Sequence, residues 1–317
     1  MIWEKKMRIV VIGTGGVGGY FGARLTEAGE NVTFVARGAH FEAIKSRGLT
    51  VYSALGDMHL KDVQCTDNTR DIGHADIVMI AVKLWATDEA IQNAKPLLGK
   101  NTGIISFQNG ILAEESLIAA YSSQHAMGGV ANIAALIEEP GIIRHNGNMA
   151  SLAFGELNNT QSERARSLLA ACSRANIKAE IPDDINRAIW EKYIRLVTMS
   201  AMTTLCRMPI GPIRDEIHTR NLLSQILSEI IDVGKAKGLK FSDNVFQEQL
   251  DIIDGYPPSM VASMCGDLRR GYPLEVPWFS GTIARLGKEL NIPTPANGFV
   301  YAALKLFEHG RPTEAQI

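Results

Sequence analysis

Gly13, Gly15 and Gly18 sit in the run MRIVVIGTGGVGG, residues 7 to 19, at the spacing G-x-G-x-x-G. The chemistry of that spacing is phosphate binding. The first glycine lets the chain turn sharply, the second lets the backbone approach a pyrophosphate, and the third lets a helix pack closely on a strand. A helix expected from about Val17 to Ala28 would aim unpaired N–H groups and the positive end of its dipole at the phosphates, with Thr14, Gly16 and Val17 completing the loop. Three more residues are placed to meet a dinucleotide. Arg37 follows the second apolar run, Lys83 follows DIVMIAV, and Asn109-Gly110 follows GIISF. For Lys83 and Asn109, a solvated lysine and a plain turn are equally good accounts.

Arg37 bears on which dinucleotide binds. NAD sites place an acid roughly 20 residues beyond the glycines, where it accepts from the ribose hydroxyls. No acid occurs from Asn31 to Phe41. A guanidinium there can grip a 2′-phosphate, so the sequence favours NADPH; the alternative is an arginine that only snorkels at a strand end.

The elements needed to carry these residues are legible. MRIVVIG and NVTFVA (Asn31 to Ala36) read as strands around the first helix, a βαβ unit. DIVMIAV (Asp76 to Val82), GIISF (Gly103 to Phe107) and HAMGGVA (His125 to Ala131) read as further strands. Near-continuous apolar strands alternating with helices predict an α/β domain of Rossmann type, a parallel sheet covered on both faces with ligands beyond the carboxyl ends of its strands. Gly141 to Asn146 and Met149 to Glu156 read as an edge hairpin joined through Asn146-Gly147-Asn148. A helix from Ser162 to Ala175 and a short strand from Ile177 to Ile181 follow, and Pro182-Asp183-Asp184 is the expected boundary, giving domains 1–183 and 184–317.

From Asn186 onward the pattern is helical: about Arg187 to Cys206, Arg214 to Lys237, Asp243 to Asp254, Ser259 to Arg270, Trp278 to Leu290 and Pro295 to Glu308. Thr294 is the expected N-cap of the last helix and Pro295 its first residue. The second domain is therefore expected to be all-helical.

Composition excludes several classes. The 32 Lys and Arg against 34 Asp and Glu give a net charge of −2, without the basic excess that nucleic acid requires. No apolar segment reaches the roughly 20 residues of a membrane span, and MIWEKK leads into glycines rather than a signal-peptide cleavage site. The four cysteines are scattered without a C-x-x-C pair, which suits buried thiols in a reducing compartment and a cytoplasmic location. The seven histidines lack metal-ligand spacing, so no metal is expected.

The opening G-T-G-G-V-G-G, Arg37, V-K-L-W (Val82 to Trp85), Q-N-G (Gln108 to Gly110), N-R-A-I-W-E-K (Asn186 to Lys192) and S-M-C-G-D-L-R-R-G-Y-P-L-E-V (Ser263 to Val276) resemble, in this order, the 2-dehydropantoate 2-reductases, or ketopantoate reductases. The resemblance covers essentially the whole chain. It implies NADPH-dependent reduction of 2-dehydropantoate to (R)-pantoate, a step toward pantothenate and coenzyme A. It makes Lys192 the catalytic lysine, Glu275 the acid that holds the substrate hydroxyl near the cofactor, and Ser263 a contact of the substrate carboxylate. Gly13, Gly15 and Gly18 take the pyrophosphate, Arg37 the 2′-phosphate, and Lys83 and Asn109 the rest of the cofactor, with Asn109 near its nicotinamide end. On spacing alone Lys192 would be a surface lysine and Glu275 an acid before Pro277. Hydride arriving at a ketone carbon builds negative charge on oxygen, which a positioned ammonium stabilises and protonates.

The chain also departs from the family pattern. Leu196 and Ser200 stand where the family carries asparagines four and eight residues after the lysine; Ser200 remains among the expected substrate-binding positions. Pro277 stands where an acid is common and Ser280 where asparagine is common. A lost amide contact costs on the order of 1 kcal/mol, enough to shift preference among keto acids. The alternatives are therefore a reductase of another branched 2-oxo acid and a non-catalytic NADP(H)-binding sensor. The expected partner is a small 2-oxo acid; the number of chains is open, a homodimer being one arrangement.

Overall fold

The structure, a computed structural model, describes residues 6–312. The leader through Lys5, read above for a signal sequence, lies outside the described residues. The chain forms two compact units, the first ending at Ala188 and the second starting at Ile189. That division falls inside the helix Ile185–Cys206, C-terminal to Pro182-Asp183-Asp184.

The first unit contains β1 (Arg8–Ile12), α1 (Gly16–Glu27), β2 (Asn31–Val35), α2 (Gly38–Arg47), β3 (Leu49–Ser53), β4 (Met58–Leu60), β5 (Gln64–Thr66), β6 (Ile77–Ile80), α3 (Thr87–Ala94), β7 (Gly103–Ser106), α4 (Ala113–Tyr121), β8 (Ala126–Glu139), β9 (Ile142–Glu156), α5 (Glu163–Arg174) and β10 (Lys178–Glu180). They make one sheet in the order β4-β3-β9-β8-β7-β6-β1-β2-β5, with β10 also on β9. From β5 to β8 every pairing is parallel. Residues on β1 alternate between two cores: Ile9 and Val11 pack with Phe21, Leu25 and Phe34, while Val10 and Ile12 pack with Ala90, Leu97 and Leu117. Burial on both faces is why these strands read as unbroken apolar runs. The chain leaves β1 for β2 on one side and for β6 on the other, which is the switch point where an open α/β sheet leaves a crevice at its carboxyl edge.

The expected edge hairpin is corrected. Residues 142–156 form one strand, and both halves pair antiparallel with β8: His145 opposite Ala135, Ala150 opposite Ile133. The reversal is made earlier, after Glu139, where Gly141 takes φ +82°. Asn146-Gly147-Asn148 is a bulge, with Gly147 at φ +76°, and His145 Nε2 lies 3.1 Å from the carbonyl oxygen of Met149 across its base. The bulge sits where β9 changes its outer neighbour, β3 before it and β10 after it. The extra residues re-aim the strand, so β9 is interior to the sheet instead of at its edge.

The second unit is helical: α6 (Ile185–Cys206), whose first residues precede the division, α7 (Ile210–Asp215), α8 (Ile217–Ala236), α9 (Val245–Asp254), α10 (Ser263–Arg270), α11 (Ser280–Leu290) and α12 (Pro295–Leu304). The helix expected over Arg214 to Lys237 is two, because Glu216 leaves helical geometry and its carboxylate accepts from Thr219 N at 2.7 Å, capping α8. Thr294 stands at the N-cap of α12 with no side-chain bond. Buried Glu229 of α8 caps α12 instead, accepting from Ala296 N at 2.8 Å and Asn297 N at 2.9 Å. A carboxylate at that helix start meets both the free N–H groups and the dipole.

Candidate active site

The glycine loop follows β1, and its three glycines do different things. Gly13 takes φ +97°, and a Cβ there would lie 2.7 Å from Val82 Cγ1 and 2.8 Å from Val82 N, so the turn needs both the conformation and the missing side chain. A Cβ on Gly18 would collide with the Gly13 carbonyl oxygen and Val11 Cγ1, which keeps α1 tight against β1. At Gly15, the N-cap of α1, nothing lies within 4 Å of where a Cβ would be, and no side chain caps the helix. The loop therefore offers open space in front of unpaired helix N–H groups, which fits a pyrophosphate. Gly16 is covered by the Ala135 carbonyl of β8. Thr14 is buried and donates its hydroxyl to the Val35 carbonyl at 3.0 Å, which ties the loop to the end of β2.

The neighbouring strand ends bring in the other expected residues. Arg37 follows β2 as the N-cap of α2, with an exposed side chain 2.5 Å from Glu89 of α3. Lys83 follows β6, its ammonium 5.6 Å from the ring centre of Trp85. Half-buried Asn109 follows β7. Beside it, buried Gln108 donates from Nε2 to the Val82 carbonyl at 3.1 Å and to Thr87 Oγ1 at 2.8 Å, tying the ends of β7 and β6 together.

His40 was not foreseen as a site residue. Its Nδ1 accepts from Gly141 N at 3.0 Å, so Nε2 carries the hydrogen and donates to the Thr14 carbonyl at 2.7 Å. The ring thus clamps the glycine loop to the β8–β9 turn. Burial lowers its pKa, opposed by the bond to Thr14. Glu114, in the first turn of α4, is raised to about 7 by burial, a backbone hydrogen bond opposing the rise and Glu115 adding to it. Neither belongs to a motif, so the one sequence signal was proximity, His40 to Arg37 and Glu114 to Asn109.

In the second unit, Lys192 lies on α6 and its ammonium is pushed down to about 8, mainly by burial and secondarily by Arg195, while Glu275 acts in the opposite direction. Glu275 is 4% exposed. The next residue on α6, Tyr193, is fully buried and bonds through its hydroxyl to the main chain just after Glu275, which fixes the acid's segment against the lysine's helix. A lysine near 8 releases a proton far more readily than one near 10.5.

Ser263, exposed, is the first residue of α10, and Thr203 of α6 accepts from the preceding Ala262 N at 3.3 Å. Ser200 is fully buried, and its hydroxyl, like that of Thr204 one turn on, has no hydrogen-bond partner among the described residues. Thr198 and Thr203 instead bond back to carbonyls four residues earlier. The expected site residues therefore form two sets: Gly13 to Gly18, Arg37, Lys83 and Asn109 in the first unit, and Lys192, Ser200, Ser263 and Glu275 in the second.

Among the described residues no three His, Cys, Asp or Glu side chains could hold a metal ion, and no helix is long and apolar enough to cross a membrane. Cys172 and Cys265 are buried and Cys65 and Cys206 half-buried, all as free thiols.

Sequence profiles described as ketopantoate reductase PanE/ApbA and its C-terminal part match residues 9–159 and 184–308. An uncharacterized oxidoreductase, YkpB of Bacillus subtilis (strain 168), is 31% identical over 302 residues, 95% of this chain and 99% of that one. The crystal structure of a 2-dehydropantoate 2-reductase from Geobacter metallireducens GS-15 superposes with a TM-score of 0.87 at 29% identity, covering 95% of this chain and 99% of that one. A D-mandelate dehydrogenase in complex with NADH shares the fold, with a TM-score of 0.84 at 21% identity and coverage of 95% and 99%.

Proposed function

This chain belongs to the ketopantoate reductase family and is an oxidoreductase, and from that premise we propose that it reduces 2-dehydropantoate to (R)-pantoate with NADPH, Lys192 supplying the proton. The observation that carries the reading is the lysine: an ammonium brought to about 8 by burial, with buried Glu275 as its counter-charge.

The dinucleotide, when bound, supplies the hydride that the ketone carbon accepts. The chain's own residues do the rest. The N–H groups of the glycine loop hold the pyrophosphate, and the Arg37 guanidinium takes the 2′-phosphate. Lys83 and Asn109 reach the remainder of the cofactor, Asn109 toward the nicotinamide. Lys192 Nζ donates its proton to the carbonyl oxygen as negative charge grows there, leaving a neutral amine that water reprotonates. Glu275 keeps the ammonium charged until that moment and accepts the substrate hydroxyl. Ser263 binds the substrate carboxylate.

Leu196 and Ser200 favour a second reading, a different branched 2-oxo acid. Leu196 can donate no hydrogen bond, and the unpaired Ser200 hydroxyl is short where an amide would reach further. Following NADPH consumption with 2-dehydropantoate and a panel of 2-oxo acids decides between them. Highest kcat/KM for 2-dehydropantoate supports the first reading, a superior rival the second, and no turnover with any of them a binding protein without catalysis. The expected setting is the cytoplasm, with a single chain or a homodimer as the working form.

A further inference from the structure

We infer that Glu89 sets how strongly this protein prefers NADPH over NADH, by competing with the cofactor's 2′-phosphate for the Arg37 guanidinium; the inference rests on the proposed role of Arg37. Arg37 Nη1 and Glu89 Oε1 are 2.5 Å apart although 52 residues separate them, one at the carboxyl end of β2, the other in the first turn of α3. Both side chains are mostly in solvent, 62% and 52% exposed, so the pair adds little to stability and exchanges readily for another partner. A carboxylate bonded to one edge of a guanidinium leaves its remaining N–H groups for a phosphate. Any phosphate gripped there sits within a few ångströms of the Glu89 charge, and the two repel.

The same carboxylate has the opposite meaning for NADH. NAD sites carry an acid at the end of the second strand to accept from the ribose 2′-hydroxyl, and this chain has none from Asn31 to Phe41. Glu89 brings one to that place from α3. The adenosine end thus offers a cation for a 2′-phosphate and an acceptor for a 2′-hydroxyl, and the pair holds the preference at an intermediate level. Like charges at such a separation in solvent are worth about a fivefold change in affinity, less at high salt.

Calorimetric titration of the full chain with NADPH, NADH and 2′,5′-ADP tests this, in the parent, Glu89→Gln and Arg37→Ala. Glu89→Gln keeps the size and the polar surface, so folding is not at stake. The expected result is binding of NADPH and 2′,5′-ADP tightened about fivefold at low salt, the gain shrinking as salt rises, with NADH unchanged or weaker. If Glu89→Gln leaves the two phosphate-bearing ligands unchanged or weakens them while Arg37→Ala still weakens them selectively, the inference fails and the reading of Arg37 stands. If Arg37→Ala does not discriminate between NADPH and NADH, both fail.

Discussion

Tyr193 shares its one hydroxyl hydrogen between two main-chain carbonyls, that of Trp278 at 2.8 Å and that of Phe279 at 3.0 Å. The ring is fully buried against Trp190 and Phe279, and burial raises the phenol's pKa well above its ordinary value, so it remains a donor at every working pH. Removing the hydroxyl takes one donor from both carbonyls, that of Phe279 keeping Ile283 N at 3.2 Å. Tyr193→Phe should lower stability by about 1 kcal/mol in a denaturant titration. It should also reduce kcat more than it raises KM for NADPH, because what loosens is the segment bearing Glu275, in the unit that does not carry the glycine loop.

Gly15→Ala and Gly18→Ala should behave differently. A methyl at Gly15 enters empty space, so thermal denaturation should shift little while NADPH binding falls steeply, the methyl occupying the place of a phosphate. A methyl at Gly18 strikes the Gly13 carbonyl and Val11, so Gly18→Ala should be destabilised by about 1–3 kcal/mol even without ligand. Equal melting temperatures for the two variants would contradict this division of roles.

His40 predicts an acid limb in stability. Its folded pKa lies below the ordinary 6.5, so the unfolded chain binds the proton first as the pH falls. Its contribution is complete above 6.5 and declines as the pH drops from 6.5 through the lowered value. Protonated Nδ1 can no longer accept from Gly141 N. Comparing parent and His40→Gln by denaturant titration over that window should show the difference between them shrinking toward acid; a constant difference would count against the clamp.

The parallel sheet, the glycine loop and the helical second half were legible because each is written locally. An apolar strand run, a spacing of three glycines and a 3.6-residue period all fall within a short window. The strands β3, β4 and β5 escaped notice, being three to five residues long and dependent on distant partners such as β9. Asn146-Gly147-Asn148 carries turn chemistry and does bend the chain, but only the pairing of both flanks with β8 turns a hairpin into a bulge. The same limit hid the Glu229 cap on α12, 67 and 68 residues away, and the Arg37–Glu89 pair. Residue types expected to meet a cofactor could be named from sequence; the side chains that hold their segments in place are tertiary and could not.

The proton donor is tested most directly by the pH dependence of kcat/KM for 2-dehydropantoate reduction, in the parent and in Lys192→Ala. The donor must be protonated to act, so kcat/KM should be level below about 8 and fall above it, while kcat/KM for the reverse oxidation of pantoate should rise through the same value. Lys192→Ala should lose about 10²–10⁴-fold in kcat and lose that alkaline limb with it. A variant that turns over at the parental rate, with the limb intact, would contradict Lys192 as the acid.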